Sequence, residues 1–265
     1  MMKFIVFLSL LMGTLACTYY DHSFPYDFEN PTSTTRLEKQ LKEISGLHYK
    51  DENTLYAVQD EVGKVFEVNL TTGKAKAIIN FRKEGDFEGL TKKGEFFYAL
   101  KSNGSIYEID KEGEVNKFTF VSDAKGFEFE GLCLDRTGDN LLVACKQHGK
   151  KKKDDHIWVY QFSLKEKKYK DKEFLKILKE DVHKKFRPSG ISMDEQGTLY
   201  LIAANTFTIA SFNSKGILLN KAQLPYLSFP QVEGICFAPN GVLYLSSEKG
   251  DQDKGKIITL KKNAK

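Results

Sequence analysis

Five short stretches of the chain repeat one another: EISGL (43–47), DFEGL (86–90), EFEGL (128–132), RPSGI (187–191) and QVEGI (231–235). Each places a polar residue, an apolar one, then Ser or Glu, an unvarying glycine, and Leu or Ile. The glycines fall at 46, 89, 131, 190 and 234, giving spacings of 43, 42, 59 and 44. Self-similarity at a period of forty-odd residues marks a repeat architecture, and strand-like content at that period points to a propeller of four-stranded blades.

Within each period, runs of four to eight β-branched and aromatic residues alternate with Gly, Asn and Asp turns. Blade one reads as strands around 47–49, 54–58, 65–70 and 75–79, and blade two repeats the pattern. The third spacing exceeds the others by about 16 residues. Two lysine-rich stretches, 149–155 and 165–172, account for it as loop insertions. A charge run of this kind is a solvated loop or a contact with an anionic surface.

In blade one the fourth strand ends near residue 79, 33 after its glycine; the same offset from Gly234 runs past residue 265. Blade five therefore has to take its outer strand from the N-terminal side, where residues 34–41 are available. That closure removes the open sheet edge. The expectation is an all-β, five-bladed propeller over residues 34–265.

Residues 1–16 read as an address. Lys3, an apolar run over 4–12, and a small-residue stretch leading to Cys17 form a secretory signal, too short for the about 20 residues of a membrane span. A cysteine at that junction has the pattern of a bacterial lipoprotein, with Cys17 lipidated, although Thr14 stands where Leu is usual. Residues 17–33 are then expected to be a tether. The three cysteines left, Cys133, Cys145 and Cys236, form no disulfide framework and read as buried packing thiols. A net charge of +4, with 29% charged residues, gives no basic excess of the kind a nucleic-acid binder carries.

The motifs at 43–47, 86–90 and 231–235, with QDEVG (59–63), resemble the SdiA-regulated, YjiK-like bacterial propellers over roughly residues 37–260. That resemblance implies a five-bladed propeller outside the cytoplasm at a membrane, with a calcium site and no established enzymatic activity.

The first strand of each blade is innermost, so residues entering it surround the channel. One position before the glycine stand Ser45, Glu88, Glu130, Ser189 and Glu233. Three before stand Glu43, Asp86, Glu128, Arg187 and Gln231. Six carboxylates and one Arg around a narrow axis repel one another, so each acid is expected to take up a proton or share a cation. A hard divalent ion with about 6–8 oxygen ligands fits, which favours Ca²⁺ on Glu43, Asp86, Glu88, Glu130 and Glu233. The alternative is that the acids pair with Arg187 and Lys101 or face channel water. A second set, Asp60, Glu61, Lys101, Lys146, Asn205 and Glu248, follows the second strands and is placed at the channel mouth, where it orients a small ligand or merely shapes turns.

No nucleophile-elbow or zinc-helix motif is present. The sequence thus supports a calcium-binding, membrane-tethered binding or scaffolding module whose ligand or protein partner it does not name. The alternative is a calcium-dependent hydrolase of lactones or phosphoesters. In it Glu88, Glu130 and Glu233 are ligands and His48 or Asp60 is the base. A structural protein without a metal is the third reading.

Overall fold

The computed structural model describes residues 24–122, 125–149, 154–250 and 253–263. Its 21 strands make five antiparallel sheets arranged as a five-bladed propeller. Blade one is β2 (Ile44–Asp51), β3 (Thr54–Gln59), β4 (Gly63–Asn69) and β5 (Ala75–Arg82). Blade two is β6 (Phe87–Lys93), β7 (Phe96–Lys101), β8 (Ile106–Ile109) and β9 (Val115–Phe118). Blade three is β10 (Glu128–Leu134), β11 (Asn140–Gln147) and β12 (His156–Ser163), whose outer edge is shared by β13 (Lys168–Tyr169) and β14 (Leu175–Leu178). A single helical turn, α1 (Lys179–Val182), leads to blade four: β15 (Gly190–Met193), β16 (Leu199–Ala203), β17 (Thr208–Phe212) and β18 (Leu218–Gln223). Blade five is β19 (Val232–Phe237), β20 (Leu243–Ser247), β21 (Lys256–Leu260) and, from the other end of the chain, β1 (Ser33–Arg36).

The expected closure is present. β1 lies antiparallel on β21, with Ser33 opposite Thr259 and Arg36 opposite Lys256. The first strands touch one another in sequence around the ring, ending with β19 against β2.

Each pair of neighbouring blades encloses one apolar cluster, so a blade's middle strands are buried on both faces. This is why β16 (LYLIA) and β20 (LYLSS) are buried throughout, while the outermost β18 (LLNKAQ) alternates between half-buried and exposed. The three described cysteines are free and buried in these clusters.

Two expectations need correction. The lysine-rich stretch 165–172 is not only loop, because β13 lies within it and pairs with β12; residues 150–153 of the other insertion lie outside the described part. The tether ends earlier than expected: Phe24, Tyr26 and Phe28 are buried in the cluster between blades four and five. Tyr26 Oη donates to Gly241 O at 2.8 Å, and Asn263 N donates to Pro25 O at 2.8 Å. The cause is an alternation of aromatics that turns one face of the segment into the core. Cys17 and residues 1–16 lie outside the described residues.

Candidate functional site: the mouth of the central channel

The five repeat glycines form a collar around the axis. A Cβ on Gly46 would lie 2.5 Å from Leu90 N, one on Gly131 would lie 2.6 Å from Ile191 N, and one on Gly234 would lie 2.2 Å from Ser45 O. Gly131 also has φ +92°, a conformation that L side chains rarely adopt. The first strands thus meet backbone to backbone. The space left at the collar is about 10 Å³, the room of one water.

Next to the collar the register of four blades slips. Ile44 faces Gln59 while Leu47 faces Ala57, and blades two, three and five carry a comparable shift. A β-bulge inserts one residue and re-aims the side chains that follow. In blade one the residue before the glycine and the second residue after it both reach the next blade, and Ser189 does so in blade four, where no such shift occurs. Ser45 Oγ donates to Phe87 O at 2.5 Å, and Ser189 Oγ to Val232 O at 2.6 Å. Two residues beyond Gly46, His48 reaches Thr91, which stands two residues beyond Gly89, with Oγ1 and Nδ1 3.3 Å apart.

Where the repeat carries Ser, the side chain is spent on the neighbouring backbone; where it carries Glu, a carboxylate is left at the axis. Glu88 is pushed up to about 9, by burial first and then by Glu130 and Asp86. Glu233 is raised well above the ordinary range by burial, Glu130 and Glu248. Burial also raises Glu130 despite its ion pair with Lys146. Glu130 is 6% exposed, and its Oε2 has no hydrogen-bond partner among the described residues.

Above these three, carboxylate oxygens of Glu43, Asp60 and Glu248 lie within 4.8 Å of one another. Glu248 is pushed up to about 8 by burial, Glu43, Asp60 and Glu130. Asp60 rises to about 6 through burial and the charges of Glu43, Glu61 and Asp86, and its Oδ1 is buried without a partner. Burial raises Glu43 too, but Lys249 at 2.9 Å, a hydrogen bond with Glu248 and Lys42 at 3.9 Å outweigh it and hold it below the ordinary range. The mouth is therefore crowded with acids and has few cations to balance them.

The expected ligand set is divided by this geometry. Glu43 groups with Asp60 and Glu248 rather than with the three acids nearest the collar. Asp86 accepts from Ser102 Oγ. Glu61 is exposed and pairs with Lys42 at 3.3 Å. Arg187 pairs with Glu128 at 3.2 Å, as the salt-bridge alternative expects, but Lys101, at the end of β7, makes no ion pair among the described residues; Lys146 takes that part. Asn205 braces a loop: its Nδ2 donates to Lys185 O at 2.7 Å and its Oδ1 accepts from Arg187 N at 3.3 Å. Lys249 and Lys42 were not singled out from sequence. Their position directly after Glu248 and before Glu43 was the available signal.

On the other side of the collar, His48, Thr91, Cys133, Ser192 and Cys236 line a cavity of about 130 Å³. Burial, then Lys92, pushes His48 down to about 4. It is not placed to serve the mouth.

This is a small five-bladed propeller with an acidic mouth. Residues 39–216 match the model of the phytase-like family, described as having the esterase-like activity of phytase, and the chain belongs to that family. No curated protein sequence matches it. Among solved structures it is similar to the PQQ-bound aldose sugar dehydrogenase of Streptomyces coelicolor, at 12% identity and TM-score 0.58, covering 88% of this chain and 97% of that one. A luciferin-regenerating enzyme matches at 13% identity and TM-score 0.55, covering 87% and 95%. A gluconolactonase of Xanthomonas campestris matches at 14% and 0.54, covering 82% and 72%. At these identities the likeness is one of fold.

Proposed function

We propose that the mouth binds a divalent cation, Ca²⁺ by its all-oxygen donors, and that the protein is an esterase-like hydrolase acting there. The observation that carries this is the convergence of Glu43, Asp60 and Glu248 from blades one and five, with Glu130 Oε2 and Asp60 Oδ1 buried and unpaired nearby. Hard carboxylate oxygens suit calcium, and Glu43 and Glu248 would hold it, with Asp60 beside the ion as the base. When bound, the ion would polarise an ester carbonyl or phosphoryl oxygen.

The chain's own residues supply the rest. Asp60, poised near 6, takes a proton from water close to neutral pH. Lys249 and Lys42 fix the Glu43 carboxylate in its ionised form. The collar closes the channel below, so a substrate enters and leaves by the mouth. The family's esterase-like description supports this reading.

A binding or scaffolding module is the second reading, and the position of His48 below the collar favours it. Within the phytase-like family we place the chain beside the SdiA-regulated-like propellers. We further propose that it is held at a bacterial envelope membrane through a lipid on Cys17; Cys17→Ala is expected to release it into the soluble fraction.

The test is a panel of lactones, carboxylic esters and phosphoesters with and without Ca²⁺. Calcium-dependent turnover that falls about 100-fold or more in Asp60→Asn, with calcium binding retained, is expected. Calcium heat without turnover on any ester would leave the binding module.

A further inference from the structure

Beside the mouth, between blades three and four, lies a cleft of about 520 Å³, a volume suited to a small ligand. Its walls carry Lys146, Lys179, Lys184, Lys185 and Arg187 against Asp154 and Asp155. These cations come from separate elements: β11, α1 and the loop that enters β15. The loop is fixed, because Phe186, directly after the two exposed lysines, is fully buried and Asn205 bonds the backbone on either side of it.

The acids in the cleft do little to balance the lysines. Asp154 accepts from Trp158 Nε1 at 2.9 Å and from His156 N at 3.2 Å, and Lys179 Nζ reaches its backbone oxygen at 2.8 Å, not its carboxylate. Lys184 and Lys185 have no carboxylate at ion-pair distance among the described residues. Lys146 belongs to both places, since the residue lines the cleft and its ammonium pairs with Glu130 at the axis. The second oxygen of Glu130, buried and unpaired, shows that this one ammonium does not satisfy the acid.

We propose that the cleft holds a multiply charged oxyanion of a small molecule, and that Lys146 couples its binding to the cation at the mouth. Glu130 bears on Glu248 through its charge, so a divalent ion on the carboxylate cluster adds positive charge beside Glu130, weakens its hold on Lys146 and makes the ammonium available to the oxyanion. By linkage the oxyanion tightens the cation by the same factor. This rests on the cation reading above.

Sulfate is the probe, because it is a doubly charged oxyanion. The single tryptophan, Trp158, is the reporter, because its indole is bonded to the cleft's Asp154. Sulfate is titrated at constant ionic strength into calcium-loaded and chelator-treated protein, with thermal shift as a second readout. The expected result is a saturable response whose Kd is about fivefold lower or more with calcium. Lys184→Gln with Lys185→Gln weakens sulfate under both conditions. Lys146→Gln removes the calcium-dependent difference while calorimetric calcium binding remains.

Calcium heat with no saturable sulfate response overturns the cleft, and equal sulfate affinity with and without bound calcium overturns the coupling. Sulfate binding that the double variant abolishes, without any calcium heat, keeps the cleft and overturns the cation reading together with the coupling.

Discussion

The two ends of the channel are built by the same five strands, on either side of one glycine collar, and their chemistry differs. At the mouth stand Glu88, Glu130 and Glu233, with Glu43, Asp60 and Glu248 above them. At the floor the equivalent ring is His48, Thr91, Cys133, Ser192 and Cys236. Charge separates the two. Floor residues are small or neutral and pack into the clusters between blades, as Cys133 and Cys236 do. Mouth residues keep buried carboxylates whose protons are held more tightly than usual. An arrangement that opposes ionisation on one end only costs stability there, a cost that the cation proposed above would offset.

The collar is what keeps the two ends distinct, and breaking it should have the largest effect. Gly131→Val adds a branched side chain at a positive φ, with its Cβ 2.6 Å from a backbone nitrogen of the next blade. A loss of at least about 3 kcal/mol is expected, read by thermal or denaturant unfolding. A variant as stable as the parent would mean that the blades do not meet at this ring.

Much of the ring was legible in the sequence, because a glycine that admits no Cβ leaves a visible period and an outer strand missing at one end must be found at the other. The carboxylate grouping was less legible. Residues 43, 60 and 248 lie at the ends of three strands in two blades, and only the closed ring brings them together. The bulge also escapes a reading by simple alternation. The aromatic hook had a signal that composition hid: Phe24, Tyr26 and Phe28 alternate with Pro25 and Asp27. Because the hook is buried beside Tyr200 and Phe229, a chain starting at residue 30 should lose about 3 kcal/mol or more, as deletion of buried aromatics does. A chain that starts at residue 24 should match the full body in Tm. Equal unfolding midpoints for the two starts would place the hook outside the cooperative unit.

A mid-sized effect should come from the mouth's protons. Acids whose folded pKa is raised bind more protons folded than unfolded between the ordinary carboxylate range and the raised value. In that window stability falls as pH rises. For Glu248 and Glu88 the window reaches about 8 and about 9. Cation-free protein should therefore lose Tm steadily from pH 5 to pH 9, and calcium should flatten the curve while releasing protons. Glu233→Gln should raise the cation-free Tm at pH 8 by about 3 °C, the shift that about 1 kcal/mol makes in a domain of this size. It should also weaken the calcium response. A lowered Tm in chelator, with the pH slope unchanged, would show a salt-bridge ring in place of a cation site.

The smallest effect is expected at the floor and bears most directly on the comparison. His48 is half-buried, stacks with Tyr56 at 6.5 Å between ring centroids, and is already neutral above about pH 5 because its pKa is pushed to about 4. His48→Gln keeps a polar atom near Thr91 Oγ1 and forfeits part of the ring's packing, so a loss of about 1 kcal/mol is expected. Nothing in the pH dependence between 5 and 9 should change, since the imidazole does not titrate there. Calcium heat and any ester turnover should also be retained, because the collar between His48 and the acids leaves room for no more than a water. If His48→Gln instead abolishes turnover at unchanged Tm, the imidazole is acting across the collar. The floor would then belong to the site, and Asp60 would no longer be the residue that takes the proton.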